Sequence, residues 1–318
     1  MKLFRLMLVG AVAAWPAHTL TAQSELIKFG DFDQWVVRNI KESRIIGGQT
    51  KQLYEVAPAA TWNDNRAYTP QGGSPWGTSN VMAKVCGITK TNTSVYREPR
   101  GNGYCARLET HEEKVRVMGM VNIEVLAAGS IFLGAIPEPI TSTSNPMSKL
   151  SVGMPYTRKP KAISFDYKVK LSGDSNRIRQ TGFSKVTTVK GKDMPDVLVL
   201  LQKRWEDAKG NIHAKRIGTM IHRFGKSTAW VNGAEFPILY GDITHHPSYG
   251  SYMGLMNGDD CFNAKNSKGK IVPIQEESWG EADDEPTHII VKFDSSYGGA
   301  YIGSVGTTLW VDNVKLVY

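Results

Sequence analysis

The sequence predicts an all-β protein, and three observations support that prediction. Several segments alternate apolar and polar residues, glycine-containing turns separate them, and no long window keeps a helical period. The chain has 318 residues, of which 41% are hydrophobic and 21% charged, as in ordinary folded proteins and unlike disordered or collagen-like chains. The formal net charge of +8 is interrupted by 30 carboxylates, so we expect no concentrated basic face and no nucleic-acid partner.

The first 22 residues are typical of a secretory signal peptide. Lys2 and Arg5 provide its positive start, and the apolar run 6–15 is shorter than the ~20 residues that a membrane span needs. We expect cleavage after Ala22, which leaves one domain over 23–318 without a membrane span. The mature chain would then be secreted, periplasmic or at the cell surface. The alternative is an uncleaved N-terminal anchor.

Four segments give the strand pattern. Residues 162–171 and 288–293 alternate apolar and polar side chains, as half-buried strands do. Residues 197–205 begin as a continuous apolar run, as expected of a strand buried on both faces. Residues 308–318 close the chain with a further apolar segment. With no internal repeat in the chain, these strands predict one antiparallel jelly-roll β-sandwich.

Two long polar stretches, 58–103 and 241–287, interrupt this pattern. We expect them to be extended loops at the rim of the sandwich, because connections of that length are usually functional or mobile.

The cysteines leave two interpretations open. Export implies an oxidising compartment, where a disulfide between Cys86 and Cys105 would stabilise the intervening loop by about 3 kcal/mol. The alternative is that all three cysteines, including Cys261, are buried thiols.

Common catalytic motifs are absent from the sequence. It contains no phosphate-binding glycine loop, no dinucleotide fingerprint and no nucleophile elbow. A glycosidase needs two facing carboxylates, and the sequence offers single candidates, such as Glu109 and Asp166, without pairing them. The absence of a motif favours a protein that is not an enzyme, although a carbohydrate-active enzyme remains the alternative.

Aromatic residues beside turn formers are the strongest candidates for a binding site. A protein can hold a sugar by stacking an aromatic ring on its apolar face, while Asn, Asp, Arg and Gln bind its hydroxyls. The alternative is that these tryptophans plug the ends of the sandwich. The candidates of this kind are Trp62, Asp64, Trp76, Asn80, Tyr249 and Trp279.

Three aspartates near the two ends of the chain suggest a structural calcium ion. Asp31 and Asp33 lie near the start and Asp312 near the end, and first and last strands often lie side by side in sugar-binding jelly rolls. Calcium prefers several oxygen ligands of this kind. The alternative is that these carboxylates cap turns or pair with lysines. We expect no other cofactor.

Six segments occur in a fixed order along the mature chain. They are Phe32 to Trp35 with Tyr54-Glu55, SPWGTSN at 74–80, GYCARLET at 103–110, AAGSIFLG at 127–134, GMPYTRKPKAISFDYKV at 153–169 and GSVGTTLWVDNVKLVY at 303–318. Together they resemble the putative carbohydrate metabolism domain (PCMD) family of secreted bacterial proteins. The resemblance implies a jelly-roll sandwich and a link to carbohydrate use, but no catalytic residue.

The same segments include Arg158, which precedes Pro160 at the entry to a strand. Arg158 could hydrogen-bond a loop carbonyl, which is the structural interpretation, or bind an acidic sugar.

Taken together, these features lead us to expect a secreted, monomeric glycan-binding protein that helps a bacterium to bind or use oligo- or polysaccharides. The alternatives are a glycoside hydrolase or polysaccharide lyase on the same sandwich, and a structural or interaction domain without a sugar ligand.

Overall fold

The computed structural model describes residues 23–85, 87–117, 121–141, 146–182, 184–258 and 261–318. These residues form strands and three short 3-10 helices, at Arg44–Ile46, Pro146–Lys149 and Ser251–Met253. In chain order the strands are β1 (Ser24–Leu26), β2 (Trp35–Lys41), β3 (Thr50–Val56), β4 (Ala60–Trp62), β5 (Trp76–Thr78), β6 (Val81–Val85), β7 (Ile88–Asn92), β8 (Val95–Arg100), β9 (Gly103–Glu109), β10 (His111–Val117), β11 (Val121–Ala127), β12 (Ser130–Ala135), β13 (Ser151–Val152), β14 (Met154–Pro155), β15 (Ala162–Lys170), β16 (Asn176–Arg179), β17 (Thr187–Lys190), β18 (Asp196–Glu206), β19 (Ile212–Arg223), β20 (Thr228–Pro237), β21 (Leu239–Tyr240), β22 (Asn263–Lys265), β23 (Ile271–Trp279), β24 (His288–Asp294), β25 (Ile302–Gly303) and β26 (Thr308–Val317).

Two large sheets form the body of the protein. The first has the order β20–β15–β26–β9–β8, with β1 also paired to β26. The second has the order β13–β12–β24–β18–β19–β23–β22, with β5, β14 and β21 paired to its members. The long strands are antiparallel to their neighbours, except that β19 and β23 are parallel.

The two sheets share one apolar core. Alternate residues of each sheet contribute to it, because side chains of a strand point to opposite faces in turn. Its members from the first sheet include Ile163, Phe165, Leu309 and Val311, and those from the second include Val197, Val199, Val291 and Phe293. The opposite face of the second sheet carries a separate apolar cluster around Phe132, Leu200 and Ile290, against which Tyr249 and Trp279 pack. The continuous apolar run that begins β18 therefore reflects burial on both faces.

A smaller sheet at one side of the body carries an open groove on its outer face. Its order is β3–β2–β4, in which β2 is antiparallel to β3 and parallel to β4. Leu53 and Ile40 lie on its buried face. Further small sheets are formed by β17–β16–β25, by β6–β7 and by β10–β11.

The all-β prediction is confirmed, and the two large sheets are consistent with a β-sandwich. The stretches expected to be rim loops differ from that expectation. Residues 58–103 contain β4 to β8, and residues 241–287 contain β22 and β23. These strands are short and lie at sheet edges or in small sheets, where only one face needs apolar residues. Their sequences are therefore polar and resemble those of loops. No helix in the described ranges is long and apolar enough to cross a bilayer.

Candidate functional site

An open groove of about 440 Å³ lies on the outer face of the β3–β2–β4 sheet. Its volume falls within the range of about 300–1,000 Å³ that is usual for ligand pockets. It is lined by Trp35, Val37, Asn39, Gln52, Ala59, Ala60, Thr61 and Arg97. We call this set the polar groove.

Strand register explains why these side chains share one surface. Gln52 of β3 lies opposite Asn39 of β2, and Val37 of β2 lies opposite Thr61 of the parallel strand β4. Because side chains two residues apart point to the same face, Val37 and Asn39 project together into the groove. The floor thus combines apolar side chains with amide and hydroxyl groups.

The two amides of the polar groove are held in place by their neighbours. Gln52 Nε2 donates to Asn39 Oδ1 at 3.1 Å, and Asn39 Nδ2 donates to Asn63 Oδ1 at 2.7 Å. The hydroxyl of Tyr54 donates to Gln52 Oε1 at 2.9 Å. A primary amide has two N–H donors and two acceptor lone pairs, so each retains bonding capacity for a ligand. The groove therefore presents fixed hydroxyl-binding groups.

Arg97 supplies the positive charge of the groove wall. Its guanidinium carbon lies 4.4 Å from the ring centroid of Tyr104, a stacking contact that fixes its plane. Within the described part of the chain its guanidinium has no hydrogen bond or ion pair. Its N–H groups can therefore be satisfied by oxygen atoms of a ligand.

A buried ion network supports the groove from the other face of the small sheet. Arg38 of β2 is fully buried and donates through Nη1 to Glu55 at 3.0 Å and to Glu138 at 3.1 Å. Glu138 also accepts the backbone N–H groups of Tyr68 at 2.9 Å and Met82 at 2.8 Å. These bonds connect the small sheet to segments from elsewhere in the chain. They hold the groove floor rigid.

Burial and neighbouring charges change the pKa of one carboxyl in this network, that of Glu55. Burial, opposed by Arg38 and reinforced by Glu138, raises the pKa of Glu55 to about 8. The Thr78 hydroxyl donates to Glu55 Oε2 at 2.9 Å, which opposes the rise in pKa, and the same hydroxyl can rotate to accept a hydrogen bond from a protonated carboxyl. Glu55 is therefore expected to be protonated at neutral pH.

Beside the groove, a row of alternating aromatic and cationic side chains crosses the outer face of the first sheet. Lys168 of β15 lies opposite Trp310 of β26, which lies opposite Arg107 of β9, which lies opposite Tyr96 of β8. Lys168 Nζ lies 3.8 Å from the Trp310 ring centroid and 5.6 Å from that of Trp230 of β20. We call these five residues the aromatic–cation row.

The aromatic–cation row already has cations on its ring faces. The Arg107 guanidinium lies 4.0 Å from the centroid of Tyr96, and that of Arg100 lies 3.9 Å from the centroid of Trp230. Tyr96 in turn contacts Tyr54, at 6.2 Å between centroids, and Tyr54 bonds to the groove residue Gln52. The row is therefore a stiff surface that continues into the polar groove rather than a free stacking platform.

The carboxylates that the sequence could not pair lie on this same face. Arg100 Nη1 binds Asp166 Oδ2 at 2.8 Å and also binds Asp312. Burial raises the pKa of Asp312 to about 6, although Arg100 opposes the rise. Burial would also raise the pKa of Asp166, but hydrogen bonds from Asn313, the Gly233 amide and Arg100 lower it below its usual range. Glu109 is bound to Arg107.

The predicted segment around Trp62 flanks the polar groove. Its neighbour Thr61 lines the groove and Asn63 bonds to Asn39. Trp62 itself is half-buried, with the Arg66 guanidinium 3.8 Å from its ring centroid, and Asp64 is exposed and paired with Arg66 at 3.5 Å. The predicted segment therefore borders the groove, which is lined by the residue next to Trp62 rather than by Trp62 or Asp64.

Trp76 and Asn80 lie inside the fold. Trp76 is 1% exposed, donates from Nε1 to the Lys28 carbonyl at 2.9 Å and packs on Phe32 at 5.2 Å between centroids. Asn80 is also buried and bonds to the backbone of Tyr54, Ser94 and Val95. Neither side chain presents a surface to a glycan.

The other predicted binding residues lie apart from the groove lining. Arg158 is exposed, pairs with Glu25 and stacks on Tyr318 at 3.6 Å from its ring centroid. Tyr249 and Trp279 are half-buried against the outer apolar cluster of the second sheet. The structure does not bring these three residues together with Trp62.

The three predicted calcium ligands have separate surroundings. Asp33 Oδ1 accepts the Tyr104 amide at 2.8 Å, and Asp312 is bound to Arg100. Asp31 has a buried Oδ1 without a hydrogen-bond partner. Among the described residues, no three His, Cys, Asp or Glu side chains are grouped so that they could hold a metal ion. The calcium site stays a prediction.

The predicted disulfide involves one residue outside the described ranges. Cys105 is a free, buried cysteine, and burial raises the pKa of its thiol to about 12. Cys86 lies outside the residues that the structure describes, so the pairing stays a prediction.

Sequence reasoning did not single out Asn39, Gln52 or Arg97. Asn39 follows Arg38 and Gln52 follows Lys51, so neither lies in a regular alternation of apolar and polar residues that would assign it to one face. Their convergence depends on the register between β2 and β3, which a single sequence does not show.

One of the comparisons with known proteins, the family model, relates the chain to carbohydrates. A family model described as a putative carbohydrate metabolism domain matches residues 42–221. The chain is similar to the crystal structure of a putative glycoside hydrolase from Bacteroides vulgatus, with 14% identity and a TM-score of 0.47, over 90% of this chain and 96% of that one. A second, from Bacteroides thetaiotaomicron, shows 18% identity and a TM-score of 0.44 over 86% of this chain and 76% of that one. No curated protein matches the sequence.

Proposed function

Because this chain belongs to the putative carbohydrate metabolism domain family, we propose that it binds an oligosaccharide in the polar groove. One observation supports the proposal above the others. Amide, hydroxyl and guanidinium groups converge over a floor that also contains apolar side chains. Sugars present hydroxyls around apolar C–H faces, so a ligand of this kind matches both parts of the surface.

The groove favours binding over hydrolysis. No carboxyl side chain is among the described residues that line it, whereas a glycosidase needs two that face the scissile bond. The carboxyls of Asp166 and Asp312 share one arginine on the neighbouring face, which keeps both engaged in ion pairs. We therefore propose a non-catalytic glycan-binding protein.

We also infer a jelly-roll topology. Eight strands, in chain order β9, β12, β15, β18, β19, β20, β24 and β26, can be numbered one to eight. The first sheet then has the order one, eight, three, six and the second has two, seven, four, five, which is the order of a double Greek key. In such a fold the small β3–β2–β4 sheet is an addition that supplies the groove.

We also propose that the protein is exported from the cytoplasm before it binds its ligand. The pattern of residues 1–22 supports it, and this segment lies outside the described residues. N-terminal sequencing of the protein recovered from the culture medium or periplasm should begin after Ala22. Retention of the intact N-terminus in the cell would contradict export with cleavage.

The groove can be tested by replacing its polar side chains. Asn39→Ala and Arg97→Gln should each weaken the retardation of the protein in native gels that contain soluble neutral polysaccharides. Interface groups of this importance contribute about 2 kcal/mol, which corresponds to roughly 30-fold in Kd. Both positions are partly exposed, so the melting temperature should stay close to that of the unchanged protein.

Matched controls are available on the same protein. Asn102→Ala removes an exposed turn amide, and Arg44→Gln removes an exposed guanidinium. Both control variants should migrate like the unchanged protein. Equal retardation of Asn39→Ala, Arg97→Gln and the controls would remove the groove from the proposal.

A further inference from the structure

At one end of the sandwich, two arginines converge on one tyrosine. The guanidinium carbon of Arg177, from β16, lies 4.2 Å from the Tyr297 ring centroid, and that of Arg223, from β19, lies 4.1 Å from it. Arg223 also lies 4.2 Å from the centroid of Tyr252, whose side chain is 42% exposed. We call these four residues the arginine–tyrosine cluster. None of them lines the polar groove.

The guanidinium of Arg223 is held by stacking rather than by hydrogen bonds. Within the described ranges it donates no hydrogen bond and forms no ion pair, and its Nε is buried without a partner. Arg177 donates one hydrogen bond, from Nη2 to the Lys190 carbonyl at 3.1 Å, and its Nε is also buried without a partner. The terminal N–H groups of Arg223 therefore remain available in a fixed orientation.

The carboxyl opposite Arg223 does not pair with it. Asp196 lies opposite Arg223 across the β18–β19 pair, and among the described residues no hydrogen bond or ion pair joins the two side chains. Burial and the neighbouring Asp294 raise the pKa of Asp196 to about 8, although Lys292 and Arg223 oppose the rise. Asp294 is itself bound by Lys292. The negative charge opposite Arg223 is therefore reduced.

A carboxyl that interacts with Arg177 is also held by other donors. Asp193 is buried and accepts the Ser296 hydroxyl at 2.6 Å and the Ser304 amide at 2.7 Å. The turn at Gly191, between Lys190 and Lys192, lies beside the Tyr297 hydroxyl. The described surroundings therefore leave the guanidinium N–H groups of Arg223 open to an anion.

We propose that the arginine–tyrosine cluster binds an oxyanion carried by an acidic polysaccharide. Guanidinium groups bind carboxylate and sulfate oxygens through paired N–H donors, and Tyr252 offers an exposed ring beside them for the sugar. A uronate carboxylate and a sulfate ester share this chemistry. The site extends the carbohydrate-binding role to a second surface and does not depend on the polar groove.

Polygalacturonate and dextran sulfate are the two probes, with neutral dextran as the uncharged control. In isothermal titration at about 150 mM salt, the unchanged protein should bind at least one of the two polyanions, and the one bound identifies the anion. Arg223→Gln should weaken that binding about tenfold or more, the range expected for a lost hydrogen bond to a charged group. The heat signal with neutral dextran should be the same for Arg223→Gln and for the unchanged protein.

Lys226→Gln is the matched control, because it removes the same charge from an exposed side chain three residues away. It should change polyanion affinity less than twofold. An equal loss in Lys226→Gln and Arg223→Gln would overturn the proposal, since general attraction to a basic protein would explain both. Failure of the unchanged protein to bind either polyanion would also overturn it.

Two further titrations distinguish a glycan site from a nucleic-acid site, and the arginine–tyrosine cluster from the polar groove. Single-stranded DNA of matched charge should bind more weakly and without dependence on Arg223, and equal dependence would overturn the assignment to a glycan. Asn39→Ala should retain polyanion binding, so a failed groove and a failed cluster give different results. If Arg223→Gln does not fold, Arg177→Gln is measured against the same criteria.

Discussion

Replacing Glu138 with glutamine should destabilise the protein far more than the same replacement at Glu55. Both carboxyls bind Arg38, and their side chains are 2% and 4% exposed. The two carboxyls are expected to differ in their charge at neutral pH. Burial raises the pKa of Glu55 to about 8, so Glu138 provides the negative charge that balances Arg38 at neutral pH.

The hydrogen bonds of the two residues determine the magnitudes. Glu138 accepts N–H groups on both oxygens, from Arg38, Tyr68 and Met82. A glutamine would point an NH₂ group at one of these donors and leave the arginine charge unbalanced, at a cost of about 3–5 kcal/mol. At Glu55, a glutamine can accept from Arg38 and donate to the Thr78 hydroxyl, so the cost should stay below about 1 kcal/mol.

Urea denaturation at pH 7 measures the two free energies of unfolding. A protonated Glu55 also predicts the direction of the pH dependence. Its pKa is about 8 in the folded state and 4.5 as its ordinary value, so the folded protein binds the proton more tightly. This group therefore stabilises the fold most at low pH, and its contribution falls as the pH rises through that window. The Glu55→Gln variant should lack this part of the slope.

Equal destabilisation by the two substitutions would refute this reasoning, because it would mean that both carboxyls are ionised and equally needed. An unchanged pH slope in Glu55→Gln would refute it independently. Asp64→Asn, at an exposed carboxyl paired only with Arg66, is the control and should change the free energy of unfolding by less than about 1 kcal/mol.

Two further predictions concern buried side chains. Trp76→Ala should lower the free energy of unfolding by about 3–5 kcal/mol in the same denaturation assay, because the ring is buried in the core, whereas Trp205→Ala, at a 41% exposed ring, should cost about 1 kcal/mol or less; similar values for both would contradict the core position of Trp76. In the reduced protein, Cys105 should react with a thiol reagent only after unfolding, because its side chain is buried and burial raises the pKa of its thiol to about 12. Rapid labelling of native Cys105, identified by peptide mass spectrometry, would contradict its buried position.

The long strands could be predicted well from the sequence. The alternation in 162–171 corresponds to β15, and the apolar run from 197 corresponds to β18 with apolar contacts on both faces. Edge strands such as β6 and β7 were missed, because their polar and apolar residues resemble those of a loop. A strand that is covered on one face only gives a weak periodic signal.

The aromatic residues show the limit of composition as evidence for a site. Trp76 and Trp62 lie in similar polar, turn-rich segments, yet Trp76 is in the core and Trp62 lies at the surface under Arg66. Trp310 belongs to the apolar segment 308–318, yet it lies between Lys168 and Arg107 on the outer face of the first sheet. Neighbours in sequence do not tell whether an indole is covered by another layer.

The strand class and the relation to a carbohydrate family could be inferred without the structure, because they depend on local alternation and on short motifs in a fixed order along the chain. Which polar residues meet depends on the three-dimensional fold. Asn39, Gln52 and Arg97 come from three strands, and Arg177 and Arg223 reach Tyr297 from separate sheets. Such groups meet through strand register and sheet packing, which depend on contacts between residues far apart in the chain.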